Sequence, residues 1–309
     1  MTIRVTRLIA IVAVTWGVTA CGSDSDPTVD GSSATIGASS TTSVATDSPI
    51  SPISTISTTA PAPSTVAPST TPPSVATTVA PPPTTIGFPP SPRVLLIGDS
   101  TLQAVERYEK LPVLLGMDPV YEARSCRLLA IPSCGRNPAP NAVAVIDGAE
   151  GNFDIVVIMA GYDQWYTTFG DSFDQVVASS RAKGTKRIIW LSYPEGVDYL
   201  LPDGTPGNDS LVNINQIMRD KLATGAFPDV VIADWFNYAS ALADWFNKDD
   251  IHLSPTGATG VADYISREVA FAASLPCPMP REPGVPVETP CPNPDASGPL
   301  ADVVALYST

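Results

Sequence analysis

Only one histidine, His252, occurs in this chain of 309 residues, and Asp249 precedes it in Asp249-Asp250-Ile251-His252. Far upstream, the apolar run Val94-Leu95-Leu96-Ile97 leads into Gly98-Asp99-Ser100. Imidazole is the side chain whose unperturbed pKa lets it take and return a proton near neutrality. A serine hydroxyl is a weak nucleophile until such a base removes its proton. One base, one adjacent carboxylate and one serine at a strand end make a complete set for acyl transfer. Each also has a plainer use: Ser100 as a helix N-cap, His252 as a packed or capping ring, Asp99 as a polar loop residue. Which use applies depends on the elements that carry them.

Short apolar runs of strand length recur at Val94–Ile97, Pro119–Ala123, Ile155–Ala160, Arg187–Ser192 and Asp229–Ala233. Helical patterns lie between them at about Leu102–Leu111, Phe173–Lys183, Leu211–Ala223 and Tyr238–Phe246. Nearly continuous apolar strands are expected where a parallel sheet is covered on both faces. Their alternation with helices predicts an α/β fold, an open doubly wound parallel sheet of five strands, with ligands at the carboxyl ends. A last helix is signalled by Ser254 as N-cap and Pro255 at its first position, with Val261, Ile265 and Val269 on one face. That topology carries Ser100, Asp249 and His252 to the same edge of the sheet.

These segments resemble the SGNH (GDSL-type) hydrolase family over about Arg93–Leu275. The residues that carry the likeness are Gly98-Asp99-Ser100 after a strand and Asp249-Asp250-Ile251-His252-Leu253-Ser254-Pro255-x-Gly257 before the last helix. The segment Ala123-Arg124-Ser125-Cys126 is most similar to SGNH domains found with cell-envelope O-acyltransferases. The resemblance implies a flavodoxin-like sheet, Ser100 as nucleophile, His252 as general base and Asp249 as its orienting carboxylate. Asp250 is a neighbouring rival for the last role.

For the oxyanion the family uses the nucleophile's N–H, a glycine N–H in its second block and an asparagine side chain in its third. Ser100 N–H carries over. The second position falls near Ser125, whose backbone N–H serves only if the local conformation is kept. The third block reads Gly161-Tyr162-Asp163-Gln164, with Asp163 where the family has asparagine. An ionised carboxylate cannot donate, and losing one such donor costs roughly 3–4 kcal/mol in the transition state. Burial can protonate Asp163, Gln164 can donate in its place, two backbone donors can suffice, or Asp163 can face away and cap the following turn. Tyr162, Trp165 and Tyr166 cluster on the same loop, where packing is the simplest role for each.

The rest of the chain concerns placement. Residues 1–21 form a leader with Arg4 and Arg7 before an apolar stretch too short to span a bilayer. Val18-Thr19-Ala20-Cys21 resembles a bacterial lipobox, which implies export and lipidation at Cys21, with the protein anchored to the cell membrane; the alternative is an ordinary cleavage site with an incidental cysteine. From residue 22 to about 92, Ser, Thr, Pro and Ala dominate, which predicts a disordered tether spanning on the order of 50 Å. Residues 276–309 read as a proline-rich tail in which Leu300–Tyr307 predicts a last short helix.

Four cysteines remain, and proximity favours Cys126–Cys134 and Cys277–Cys291 among the three possible disulfide pairings. A zinc site has only one histidine and no Cys-x-x-Cys to build on. The formal charge of −14 disfavours nucleic-acid binding and electrostatic attachment to anionic lipid. It favours neutral or cationic substrates, although global charge says little about one cleft.

The resulting expectation is a lipid-anchored, monomeric serine esterase or O-acyltransferase that needs no cofactor and no metal. Its substrates are acyl esters, of envelope polysaccharide or of small extracellular molecules. The alternatives are a non-catalytic glycan-binding lipoprotein on the same fold and a purely structural envelope spacer.

Overall fold

The computed structural model describes residues 87–197, 200–201, 204 and 206–308, all within one unit of the chain, residues 78–309. The leader, Cys21 and nearly all of the predicted tether therefore lie outside the described residues. Five strands, β1 (Arg93–Gly98), β2 (Asp118–Ala123), β3 (Ile155–Met159), β4 (Arg187–Leu191) and β5 (Val230–Ala233), form one sheet in the order β2-β1-β3-β4-β5. Every pairing is parallel. The protein is thus an α/β domain with the expected five-stranded doubly wound sheet. β1 from Val94 to Ile97 and the whole of β3 are apolar and sealed from solvent, as a sheet covered on both faces requires.

The register decides where the loops emerge. Gly98 stands level with both Ala123 of β2 and Met159 of β3. The loops that follow these strands, carrying Ser100, Ser125 and Asp163, therefore leave the sheet side by side. The chain order reverses between β1 and β3, the switch point at which doubly wound sheets open a crevice.

Helices α1 (Ser100–Arg107), α2 (Ala142–Gly148), α3 (Tyr166–Ala182), α4 (Gly207–Ala223), α5 (Trp235–Ala239) and α6 (Pro255–Ala272) cover the sheet. α1 starts two residues before the expected helix and α3 seven before, where Phe169, four residues ahead of Phe173, already begins the buried face. The segment expected as one helix over Tyr238–Phe246 is α5 followed by a short 3-10 turn, Ala243–Trp245.

α6 begins after Ser254, whose hydroxyl accepts from Gly257 N–H, with Pro255 at its first position. It is buried on all sides, not on one face alone. Residues 276–308, with α7 (Pro294–Ser297) and α8 (Val303–Leu306), lie against its polar side. There Arg267 Nε meets both oxygens of Asp263 at 3.0 Å, Tyr307 donates to Asp263 at 2.5 Å, and Tyr264 donates to Asp295 at 2.5 Å. Such charges are tolerated inside because each is paired. Cys277 is bonded to Cys291 in this segment, and Cys126 to Cys134 in the loop after β2. Among the described residues no helix is long and apolar enough to cross a membrane.

Two glycines of α6 admit the segment that carries His252. The Trp245 ring, buried and stacked on Trp235 at 5.8 Å, lies where a Cβ on Gly260 would stand 2.4 Å away. A Cβ on Gly257 would stand 1.8 Å from the Trp245 carbonyl oxygen, which itself accepts from Ser254 N–H. Backbone cannot yield as a flexible side chain can, so Gly257→Ala is expected to destabilise the fold by about 2–3 kcal/mol or more, and Gly260→Ala somewhat less. Gly148→Ala, whose new methyl meets nothing within 4 Å, is the control expected to be neutral or slightly stabilising. Chemical denaturation of the three variants checks this; equal stability of Gly257→Ala and the control would contradict it.

Candidate active site

Ser100 is the first residue of α1, directly after β1. Gly98 makes that sharp entry possible, since a Cβ there would lie 2.2 Å from Leu102 Cβ. The N–H of Ser100 is one of the amides that a helix N-terminus leaves without an intrahelical partner. His252 comes from a loop pinned on both sides. Phe246 and Leu253 form an antiparallel bridge, Asn247 N–H donates to the His252 carbonyl at 2.7 Å, and Ile251 and Leu253 are buried.

Within this loop Asp249 does two jobs. Its Oδ1 accepts from the N–H groups of Ile251 (3.1 Å) and His252 (2.9 Å), which shapes the turn. Its Oδ2 lies 2.8 Å from His252 Nδ1. A carboxylate can hold Nδ1 only as N–H, which leaves Nε2 to accept from the Ser100 hydroxyl at 2.9 Å. Burial alone would lift the Asp249 carboxyl, but the backbone and ring N–H groups of His252, with Ile251 N–H, bring it below the usual carboxylate range. Asp250 takes the left-handed position of the turn (φ 57°), is exposed, and makes no bond to the ring.

Asp99 ties this edge together. It is buried, and accepts from Thr101 N–H (3.0 Å), the Thr101 hydroxyl (2.7 Å) and Tyr162 N–H (3.0 Å), so the loop after β3 is fastened to the start of α1. Burial pushes its carboxyl up to about 6, against the pull of those three donors. The expected polar loop residue is therefore a cap and a crosslink.

The expected oxyanion donors are only partly where they were sought. Gln164 cannot be one of them as it stands. Its side chain is fully buried, Oε1 accepts from Leu129 N–H at 3.0 Å, and the amide NH2 donates to Ser172 at 2.9 Å and Thr168 at 3.4 Å. The turn that bonds Gln164 N–H to the Gly161 carbonyl aims that side chain inward. Ser125 N–H and its hydroxyl both donate to Gln103 Oε1, at 3.1 and 2.8 Å, so this donor is already engaged.

Asp163 does not cap α3, whose start has no side-chain cap. Its carboxylate lies within 4.8 Å of both sulfurs of the Cys126–Cys134 bond, and burial raises its pKa while His252 opposes the rise. Among the described residues these three form the one grouping of metal-ligand side chains, but both thiols are consumed by the disulfide. Of the loop aromatics, Tyr162 is buried against Tyr193 at 5.0 Å between centroids, while Tyr166 is exposed.

A groove of about 350 Å³ opens at Ser100 and His252, bounded by α1 on one side and the Asn247–Leu253 loop on the other. Gln103 and Arg107 line it and were not singled out from sequence. Helical spacing was the available signal, because positions three and seven after Ser100 share its face of α1. A cavity of similar size between β4, α4 and β5 is lined by Ser192, Asn215 and Asp234 and holds no imidazole.

Stability should report on Asp99. An acid with a raised folded pKa contributes stability that is full below its ordinary value of 3.8 and lost as pH rises through about 6. The difference in unfolding free energy between wild type and Asp99→Asn is therefore expected to change by on the order of 3 kcal/mol between about pH 4 and 7. The wild type loses ground as pH rises. A difference constant across that range would show that Asp99 does not titrate as a buried acid.

Neither a protein-family model nor a curated protein matches this chain. Solved structures do. A protein assigned as an SGNH hydrolase from Slackia heliotrinireducens is 20% identical, over 57% of this chain and 97% of that one, with a TM-score of 0.42. An aryl esterase from M. smegmatis is similar at 14% identity, over 58% and 98%, with a TM-score of 0.44. An acetylxylan esterase from Geobacillus stearothermophilus is similar at 15% identity, over 60% and 96%, with a TM-score of 0.41.

Proposed function

We propose that this chain is an exported serine esterase or O-acyltransferase of the SGNH type, held to the membrane by a lipid on Cys21 and acting on acyl esters, those of envelope glycans included. The observation that carries the chemistry is the unbroken chain of hydrogen bonds from Asp249 through His252 to Ser100, at 2.8 and 2.9 Å, opening on a groove. The leader, the lipobox-like Val18-Thr19-Ala20-Cys21 and the Ser/Thr/Pro tether motivate the location.

In this mechanism His252 Nε2 takes the Ser100 proton as Oγ attacks the acyl carbonyl. Asp249 keeps Nδ1 protonated and stabilises the imidazolium that forms. Ser100 N–H, at the positive end of α1, meets the developing oxyanion, and Ser125 N–H joins it once the carbonyl oxygen displaces Gln103 Oε1. His252 then returns the proton to the leaving alcohol. Water or a sugar hydroxyl releases the acyl group from Ser100 by the same steps in reverse.

Labelling with a fluorophosphonate probe tests the nucleophile. Wild type is expected to label and Ser100→Ala to show none, while turnover of a short aryl ester falls about a thousandfold or more in Ser100→Ala and His252→Ala. Equal, negligible labelling in both proteins would favour the second reading, a glycan-binding module on this fold. Two observations speak for that reading: the acidic Asp163 in place of an amide donor, and the engaged Ser125 N–H.

Asp163→Asn separates the two further. Where Asp163 faces the oxyanion, the amide replaces a repelling acid with a donor, and ester turnover near neutral pH is expected to rise about tenfold or more. Unchanged turnover in a protein that labels at Ser100 would place Asp163 outside the oxyanion's reach.

A further inference from the structure

The groove is polar along its length, and a cation stands at its far end. From Ser100 it follows one face of α1 past Gln103 to Arg107 and Tyr108, with Asn247 across from them. Ala104 and Leu253 are its only aliphatic members. A long acyl chain lying there would strip water from the Arg107 guanidinium and the amides without replacing their hydrogen bonds, a cost that apolar contact with two small patches cannot offset.

Arg107 itself has no carboxylate in ion-pair contact among the described residues. The neighbouring Glu106 is taken by Arg124 at 3.5 Å, and the recorded contact of Arg107 is with the Tyr108 ring at 5.7 Å. A basic residue in the last turn of a helix suits the helix dipole, but that alone asks for charge anywhere on the turn, not for a guanidinium bordering the groove. Seven residues at 1.5 Å rise set Arg107 about 10 Å along the helix from Ser100. The Asp249 carboxylate, which also borders the groove, is committed to the His252 ring.

We propose that the Ser100 groove takes esters whose non-acyl portion carries an anionic group, carboxylate or phosphate, about 10 Å from the ester, and that Arg107 is the residue that binds it. This rests on the esterase chemistry proposed above and adds the substrate class to it. A guanidinium fork matches the paired oxygens of either anion. On a chain with a formal charge of −14, an anionic substrate meets general repulsion, so a local cation is what makes its entry favourable. The small acyl group is left at the Ser100 end, and the anionic arm lies along α1.

The test compares a neutral O-acetylated disaccharide with the same compound bearing a 6-carboxylate, or a 6-phosphate, on the distal sugar. Wild type is expected to prefer at least one anionic ester by about tenfold or more in kcat/KM, and to lose most of that preference in 0.5 M NaCl. Arg107→Ala should abolish the preference, Arg107→Glu reverse it, and Arg107→Lys restore part. Titration calorimetry with the deacetylated disaccharides reads binding without turnover. The anionic compounds should bind wild type tighter than Arg107→Ala by a similar factor. No preference for either anion, or a preference that survives Arg107→Ala, would overturn the proposal. If Ser100 neither labels nor turns over ester, the calorimetry still decides whether Arg107 binds anions, so loss of the esterase chemistry and loss of this site are told apart.

Discussion

The bond between the Ser100 hydroxyl and His252 Nε2 joins two segments 152 residues apart, and most of the fold can be understood as what holds them together. Neither partner has an independent reason to be there. Ser100 is placed by β1, an interior strand of the sheet with neighbours on both sides, and by a helix that starts two residues after Gly98. His252 is placed by a loop that has little regular structure of its own. Its position comes from Trp245, wedged over Gly257 and Gly260, and from the Phe246–Leu253 bridge. Because α6 also packs against α1, the two placements share one support.

That support explains the acid-rich interior of α6. A helix buried on all sides carries Asp263 and Arg267 because they pair with each other and Tyr307 donates to Asp263, while burial and the nearby Asp295 push the Glu268 carboxyl up to about 8. The C-terminal segment is part of the core, since Leu300, Val303 and Leu306 are buried with it. Its role is indirect: it fixes α6, which fixes Trp245, which fixes the ring that faces Ser100.

The same edge of the sheet shows compromise. At Asp99 burial outweighs three hydrogen-bond donors and lifts the carboxyl to about 6, so the tie between α1 and Tyr162 is made at the cost of desolvating an acid. Gln103 fills the Ser125 N–H with an oxygen that resembles the carbonyl expected there. Ser125 is exposed, so Gln103 and water can both offer this N–H a partner. Whatever enters must do at least as well.

Apolar runs and their alternation with helical stretches were enough to predict five parallel strands, because an interior strand must be apolar on both faces. Ser254-Pro255 marked the start of α6 for an equally local reason, the capping of unpaired amides. The type and spacing of Ser100, Asp249 and His252 were legible too, since one short turn lets a carboxylate reach its own neighbour's ring. What lay beyond the sequence were contacts between segments remote in the chain. Gln164 looked like a donor until the loop after β3 turned it toward Leu129, and Gln103 and Arg107 looked like ordinary helix residues until a second wall made their face a groove. Local chemistry is written in neighbouring residues, whereas the partner of a side chain is chosen by packing across the whole domain, and only the folded chain settles that choice.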